Sequence, residues 1–172
     1  INPEPRADFY AHLDAANVDL KGFTEDFYRH TCGAELGAVL DSLRYLHETD
    51  VWFELTTLLI PGLNDSSREL DEMTAWVVEH VPLHFTAFHP DYRMTDIPAT
   101  PAATLARARA IARSEGLQYV YTGNVHDRHG QSTTCTGCRA VVIERDWHQL
   151  GAYGVDDTGH CTACGTTLAG VF

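Results

Sequence analysis

Apolar and polar positions along the chain switch between two periods. Residues 17–20, 53–60, 85–88 and 118–121 read as strands. They recur about every 33 residues, the length of one βα unit. Between them the apolar positions take the helical period. Leu36, Val39, Leu40, Leu43 and Leu46 form one stripe. Ser66 and Glu69 have the spacing of a capping box, ahead of a buried face of Leu70, Met73, Trp76 and Val77. Thr100-Pro101 reads as an N-cap followed by the first helical residue, and Gly116 as the end of that helix. A further helix-like stretch covers residues 6–13. Alternating β and α elements predict a parallel sheet with helices outside it. Four strands make a small open sheet but do not close a barrel.

The pattern therefore fits a small open α/β domain or part of a larger barrel. The chain opens on Ile1-Asn2-Pro3-Glu4-Pro5 and runs at once into a helix. That is the expected look of a chain whose preceding βα units are missing. Such a piece is expected to expose an apolar inner face and one open sheet edge. From Asn124 onward the pattern changes to short β runs around paired cysteines. The expected division is an α/β part over residues 1–123 and a small β module over residues 124–172.

With 172 residues, 44% hydrophobic and 21% charged, the chain suits a globular domain plus a small module and not a disordered protein. No apolar run approaches the roughly 20 residues of a membrane span, so no membrane partner is expected. The net charge of −12 disfavours nucleic-acid backbones as partners. Eleven of the basic residues are Arg and one is Lys21. Either composition bias explains that ratio, or the compact ammonium of Lys21 has a specific task. Tight CxxC pairs with no signal-peptide pattern point to a metal site in a reducing, cytoplasmic setting.

In parallel α/β folds the carboxyl ends of the strands carry the chemistry. Asp19 and Lys21 are two residues apart and share a strand face. An acid and an amine there suit a zwitterionic ligand, or form a structural ion pair. Ile60-Pro61-Gly62 forces a turn, which allows close ligand approach or is a plain connection. His89, with Pro90 and Asp91 after it, ends a strand. It is a candidate ligand or acid/base group, or neither. His84, His89 and Asp91 together also allow a metal-dependent hydrolase.

Cys135 and Cys138 form one CxxC pair, Cys161 and Cys164 another, with 22 residues between the pairs. Two such turns close a tetrahedron around one ion with no open position. The run 140–145, a turn at Asp146 and a second run to Val155 predict a hairpin between them, the layout of a zinc ribbon. Zinc is the first expectation, a second iron–sulfur cluster the next and a disulfide pair the third. A module this small needs the metal for stability. A zinc-ribbon interaction module on an α/β scaffold, without catalysis, is the alternative to an enzyme.

Asp19-Leu20-Lys21, residues 59–65 and residues 85–90 resemble the second half of a radical S-adenosylmethionine (SAM) enzyme of the pyruvate formate-lyase activating type. Tyr121-Thr122-Gly123-Asn124 and the two CxxC pairs resemble the AmmeMemoRadiSam-system branch of that family. The resemblance implies the last three or four βα units of a partial (β/α) barrel followed by the ribbon. It implies an oxidoreductase that reductively cleaves SAM to a 5′-deoxyadenosyl radical, which abstracts hydrogen from a substrate. By resemblance Asp19 and Lys21 lie near the methionyl end of SAM, His89 near its nucleoside, and the strand ending at Ile60 beside the adenosine. Memo-like and AMMECR-like system partners are implied in the same way, and the ribbon is expected to dock a protein substrate. The family's 4Fe–4S motif, CxxxCxxC, and its GGEP-like motif are absent from this chain, and Thr56 stands where activating enzymes carry an arginine. The cluster's ligands are thus expected in a missing N-terminal half, and this stretch alone is expected to make no radical.

Overall fold

A computed structural model describes residues 1–77 and 81–172. The elements of the first part are α1 (Pro3–Tyr10), β1 (Ala15–Asp19), α2 (Glu25–Phe27) with a π-helical turn (Tyr28–Cys32), α3 (Leu36–His47), β2 (Trp52–Leu59), α4 (Ser67–Trp76), β3 (Leu83–Ala87), α5 (Ala102–Ser114) and β4 (Val120–Gly123). The second part holds α6 (Arg128–Gln131), β5 (Thr133–Thr134), β6 (Val141–Asp146) and β7 (Gln149–Tyr153). No helix among the described residues is long and apolar enough to cross a membrane.

The four parallel strands lie in the order β1-β2-β3-β4, with no reversal. Right-handed crossovers in sequential order put every connecting helix on one face, as in a barrel wall. That face is apolar. Leu55, Leu59, Leu83, Phe85 and Val120 are buried there with Leu43 and Leu46 of α3, Leu70 and Met73 of α4, and Leu105 and Ala108 of α5.

The opposite face overturns the expectation of an apolar inner surface. Side chains alternate along a strand, and the positions facing away from the helices include Asn17, Asp19, Glu54, Thr56, His84, Thr86 and Tyr121. Asp19, Thr56, His84 and Tyr121 are in register as one row across all four strands. These polar groups pair with each other, as in the hydroxyl of Thr56 donating to Asn17 Oδ1 at 2.9 Å. β1 is paired on one side only, the open edge that the sequence predicts.

Two helix starts differ from their sequence signatures. Ser66 Oγ accepts the Glu69 N–H at 3.2 Å, which is half of a capping box. The Glu69 carboxylate does not return to the cap; it accepts the Phe23 N–H at 2.6 Å. Thr100 does not cap α5, where Pro101 holds the N-cap position. Its hydroxyl instead donates to Leu59 O at 2.5 Å and accepts the Phe88 N–H at 3.0 Å, tying the ends of β2 and β3 together.

The second part is a three-stranded antiparallel sheet in the order β5-β6-β7. β6 and β7 form the expected hairpin, closed by Trp147 and His148 between paired Asp146 and Gln149. Its core is small: Tyr119, Cys135, Val142, Ile143, Val155, Cys161 and Leu168. Tyr119 belongs to the segment entering β4, so the module packs along that strand.

Candidate cofactor edge and metal centre

The backbone from Leu20 to Phe23, just past the end of β1, is held by four side chains from elsewhere. Thr57 on β2 donates to Leu20 O at 2.7 Å. Tyr28, in the π-helical turn, accepts the Lys21 N–H at 3.0 Å. Asn64, after β2, donates to Lys21 O at 2.6 Å. Glu69 on α4 takes the Phe23 N–H. Burial pushes the Tyr28 hydroxyl up to about 12, so it stays neutral as an acceptor here. Burial also raises the Glu69 carboxyl. Gly22 is required by close approach, because a Cβ there meets the Phe27 ring at 2.6 Å.

Asn64 is fully buried and uses its whole amide. Its Oδ1 accepts the Ile60 N–H at 2.7 Å, and its Nδ2 donates to Leu58 O at 2.9 Å as well as to Lys21 O. One side chain thus fixes both the end of β2 and the backbone of Lys21. Asp65 Oδ1 accepts the Gly62 N–H at 2.8 Å, and Gly62 takes φ 76°, which completes the turn after Ile60-Pro61. A preorganised backbone of this kind holds functional side chains in place at low entropic cost on binding.

The clamped segment presents Lys21 and Asp19 as an ion pair, Nζ to Oδ2 at 2.9 Å, with side chains 42% and 53% exposed. Both groups are open to a ligand that offers its own carboxylate and ammonium. His89 is exposed, two residues past β3, at the same carboxyl edge of the sheet. Asp91 is exposed, with Oδ1 accepting the Tyr92 N–H at 2.7 Å. His84 lies elsewhere, on the polar sheet face, with Nε2 2.8 Å from Glu54 Oε2. The structure does not bring His84, His89 and Asp91 together. The four cysteines are the one group of three or more metal-ligating side chains with mutually close ligand atoms among the described residues. Among the described residues the hydrolase alternative therefore has no cluster of ligands at His84, His89 and Asp91.

The sulfurs of Cys135, Cys138, Cys161 and Cys164 all lie within 4.8 Å of one another. Cys135 and Cys164 are 3.6 Å apart, and Cys138 and Cys161 are 3.8 Å apart. A tetrahedron with metal–sulfur bonds of about 2.3 Å has edges of about 3.8 Å. The set fits one ion, and a four-iron cube needs its thiolates further apart. Each CxxC turn is closed by a left-handed residue after its second cysteine, Arg139 at φ 62° and Gly165 at φ 75°. These turns aim backbone amides at sulfur. The Cys138 and Gly137 amides lower the Cys135 thiol. The Thr166 hydroxyl and then its amide hold the Cys164 thiol down at about 6. Against the Ala140 amide, the Cys164 sulfur and burial push the Cys138 thiol up to about 11, so these contacts favour the thiolate at Cys135 and Cys164 and not at Cys138. Cys32 stands apart and exposed on the π-helical turn.

Sequence reasoning singled out Asp19, Lys21, His89 and the four cysteines, but not the residues that support them. Asn64, Tyr28 and Glu69 act through contacts 43, 7 and 46 residues away along the chain. Glu54 and His84 are 30 residues apart and meet only through strand register.

No protein-family profile matches the chain. It is 40% identical over 161 residues to an uncharacterized protein, MJ0808, of Methanocaldococcus jannaschii, covering 91% of this chain and 48% of that protein. The chain therefore spans about half the length of the curated relative it matches. Among solved structures it is similar to a domain of pyruvate-formate lyase-activating enzyme from Bacteroides vulgatus. The TM-score is 0.62 at 16% identity, with 72% of this chain and 75% of that domain covered. Four parallel strands and a small antiparallel sheet that carries a four-cysteine cluster thus make a mixed α/β fold that resembles that solved domain.

Proposed function

We propose that the chain forms the SAM-holding edge and an accessory zinc ribbon of a radical SAM enzyme of the pyruvate formate-lyase activating type. The observation that carries this reading is the clamped Asp19–Lys21 pair at a strand's carboxyl end, in a sheet that resembles an activating-enzyme domain. SAM bound at a reduced iron–sulfur cluster supplies hydrogen-atom abstraction from a substrate. This reading places the cluster's ligands outside these 172 residues, since no CxxxCxxC occurs within them.

The roles of this chain's residues follow from their charges. Lys21 binds the carboxylate of the methionyl group and Asp19 its ammonium, each exchanging its present partner for the ligand. The Tyr28, Asn64, Thr57 and Glu69 contacts hold that backbone still while the exchange occurs. His89 lies towards the nucleoside, and the turn at Pro61-Gly62 flanks the adenine side. Zinc is assigned to the cysteines because the sulfur spacing suits one ion and leaves no position open for chemistry. Free thiolate ligands suit a cytoplasmic setting.

The test is anaerobic cleavage of SAM by the full-length gene product with reconstituted iron and sulfide and a strong reductant. The expected products are methionine and 5′-deoxyadenosine. Lys21→Ala is expected to lower kcat/KM for SAM about ten- to a hundredfold, the value of one charge-assisted hydrogen bond. No 5′-deoxyadenosine from iron-loaded protein overturns the reading.

A further inference from the structure

We infer that a cavity between the polar sheet face and the tip of the ribbon hairpin is a binding site for an organic carboxylate. Its volume is about 400 Å³, within the range of small-ligand sites. It is lined by β2, β3 and the carboxyl end of β4 at Thr122–Asn124, and is walled on one side by the ribbon residues Arg145 and Trp147.

The floor is His84 and Glu54. Both oxygens of Glu54 are engaged, Oε2 with His84 Nε2 at 2.8 Å and Oε1 with the Trp52 indole N–H at 3.4 Å. The hydrogen bond to His84 holds the Glu54 carboxyl below its usual range, so it is a carboxylate. The imidazole is also stacked on Tyr121 at 5.0 Å with 27° between the planes. Its orientation is therefore fixed, and Nδ1 is the ring nitrogen left without a partner among the described residues.

Arg145 stands on the wall. Its Nη1 donates to Thr133 Oγ1 at 2.9 Å, and the same hydroxyl meets the Tyr121 hydroxyl at 2.9 Å. Floor and wall are thus one network. Among the described residues the rest of the guanidinium fork has no hydrogen-bond partner. Among the described residues Glu54 is the only acidic one lining the cavity; His84 already holds it by a hydrogen bond, and Arg145 acts on it only through its charge. In a chain of net charge −12, a half-buried guanidinium facing no uncommitted acid is a receptor for a carboxylate.

The roof is Trp147. It takes φ 55°, a backbone conformation that bulky residues avoid. Its backbone N–H donates to Gln131 Oε1 at 2.6 Å, and its ring stacks on His126 at 5.2 Å with 25° between planes. These contacts hold an indole at the cavity mouth, where a planar or aliphatic ligand body packs against it. The volume suits a small molecule, so the ribbon walls a ligand site here. Identifying that ligand as the enzyme's substrate rests on the radical SAM reading; the binding itself does not.

The test is a titration of the full-length gene product with benzoate and with its neutral analogue benzamide. The indole N–H signal of Trp147 is followed by NMR and assigned with Trp147→Phe. Benzoate is expected to give a saturable shift at millimolar concentration and benzamide none. Arg145→Gln is expected to weaken benzoate binding about tenfold or more. His84→Ala, which leaves the Arg145–Thr133 contact untouched, is expected to weaken it less. No saturable shift with benzoate, equal affinity for benzamide, or unchanged binding in folded Arg145→Gln protein each overturns the site. SAM cleavage is assayed in the same samples without benzoate. Cleavage without carboxylate binding removes the site and keeps the proposed function, and binding without cleavage does the reverse.

Discussion

Replacing Asn64 with Ala tests whether the Lys21 edge is as tightly built as the structure indicates. The substitution removes one amide and leaves three backbone groups without partners: Ile60 N–H, Leu58 C=O and Lys21 C=O. A buried polar group without a partner costs about 1–3 kcal/mol. Asn64 itself is fully buried, and its contact with Ile60 is fully buried too, whereas the two carbonyl contacts are partly buried. Water reaching the vacated space offsets part of the carbonyl cost. The expected loss is therefore about 3–5 kcal/mol, large for one substitution. It is read from the urea midpoint of the full-length product at unchanged m-value. Asn64→Asp keeps an acceptor for Ile60 but turns a carboxylate towards two carbonyls. Its folded-state pKa is raised, so its stability is highest at acidic pH and falls as pH rises through that pKa. A loss below about 1 kcal/mol for Asn64→Ala, or an Asn64→Asp variant insensitive to pH, would refute this account of the edge.

Further outcomes follow from the ribbon and the polar sheet face. The hydrogen bond to His84 depresses the Glu54 carboxyl, so its stabilising contribution is present above the ordinary carboxylate pKa and lost as pH falls through the folded value; Glu54→Gln is expected to flatten the acid side of a urea-midpoint profile, and an identical profile contradicts the pairing. Cys161→Ser is expected to cost the bound metal and unfold the hairpin, because seven buried residues form its entire described core; one equivalent of zinc retained by the variant in elemental analysis contradicts this. Arg139 sits in the left-handed region where the matching turn has Gly165, so Arg139→Gly is expected to stabilise the zinc-loaded ribbon by about 1 kcal/mol, with thermal unfolding of the holoprotein as the check.

The sequence made the alternation of elements legible because each strand and helix carries its own period. The sequential strand order was not legible, because regular βα spacing fits an open sheet as well as a barrel wall, whereas the CxxC pairs announce a set of metal-ligating thiols by spacing alone. The polar sheet face was hidden because Thr56, Thr86 and His84 sit inside runs that read as apolar. The supporting contacts were hidden for a different reason. Glu69 fits a capping box as well as it fits the Phe23 amide, and Thr100 fits an N-cap as well as it fits Leu59 O. Local spacing alone does not decide between a local partner and one brought near by the fold. Trp147 carries no turn signature, since bulky residues seldom take a left-handed conformation, and its place in the same cavity as His84 depends on the ribbon packing along β4.

The most direct test of the central claim is equilibrium binding of labelled SAM to the full-length product. Wild-type protein is expected to bind one equivalent, Lys21→Ala and Asp19→Ala to bind about tenfold or more weakly, and Trp147→Ala to bind as wild type. Undiminished SAM binding in both the Lys21 and Asp19 variants contradicts the assignment of this edge.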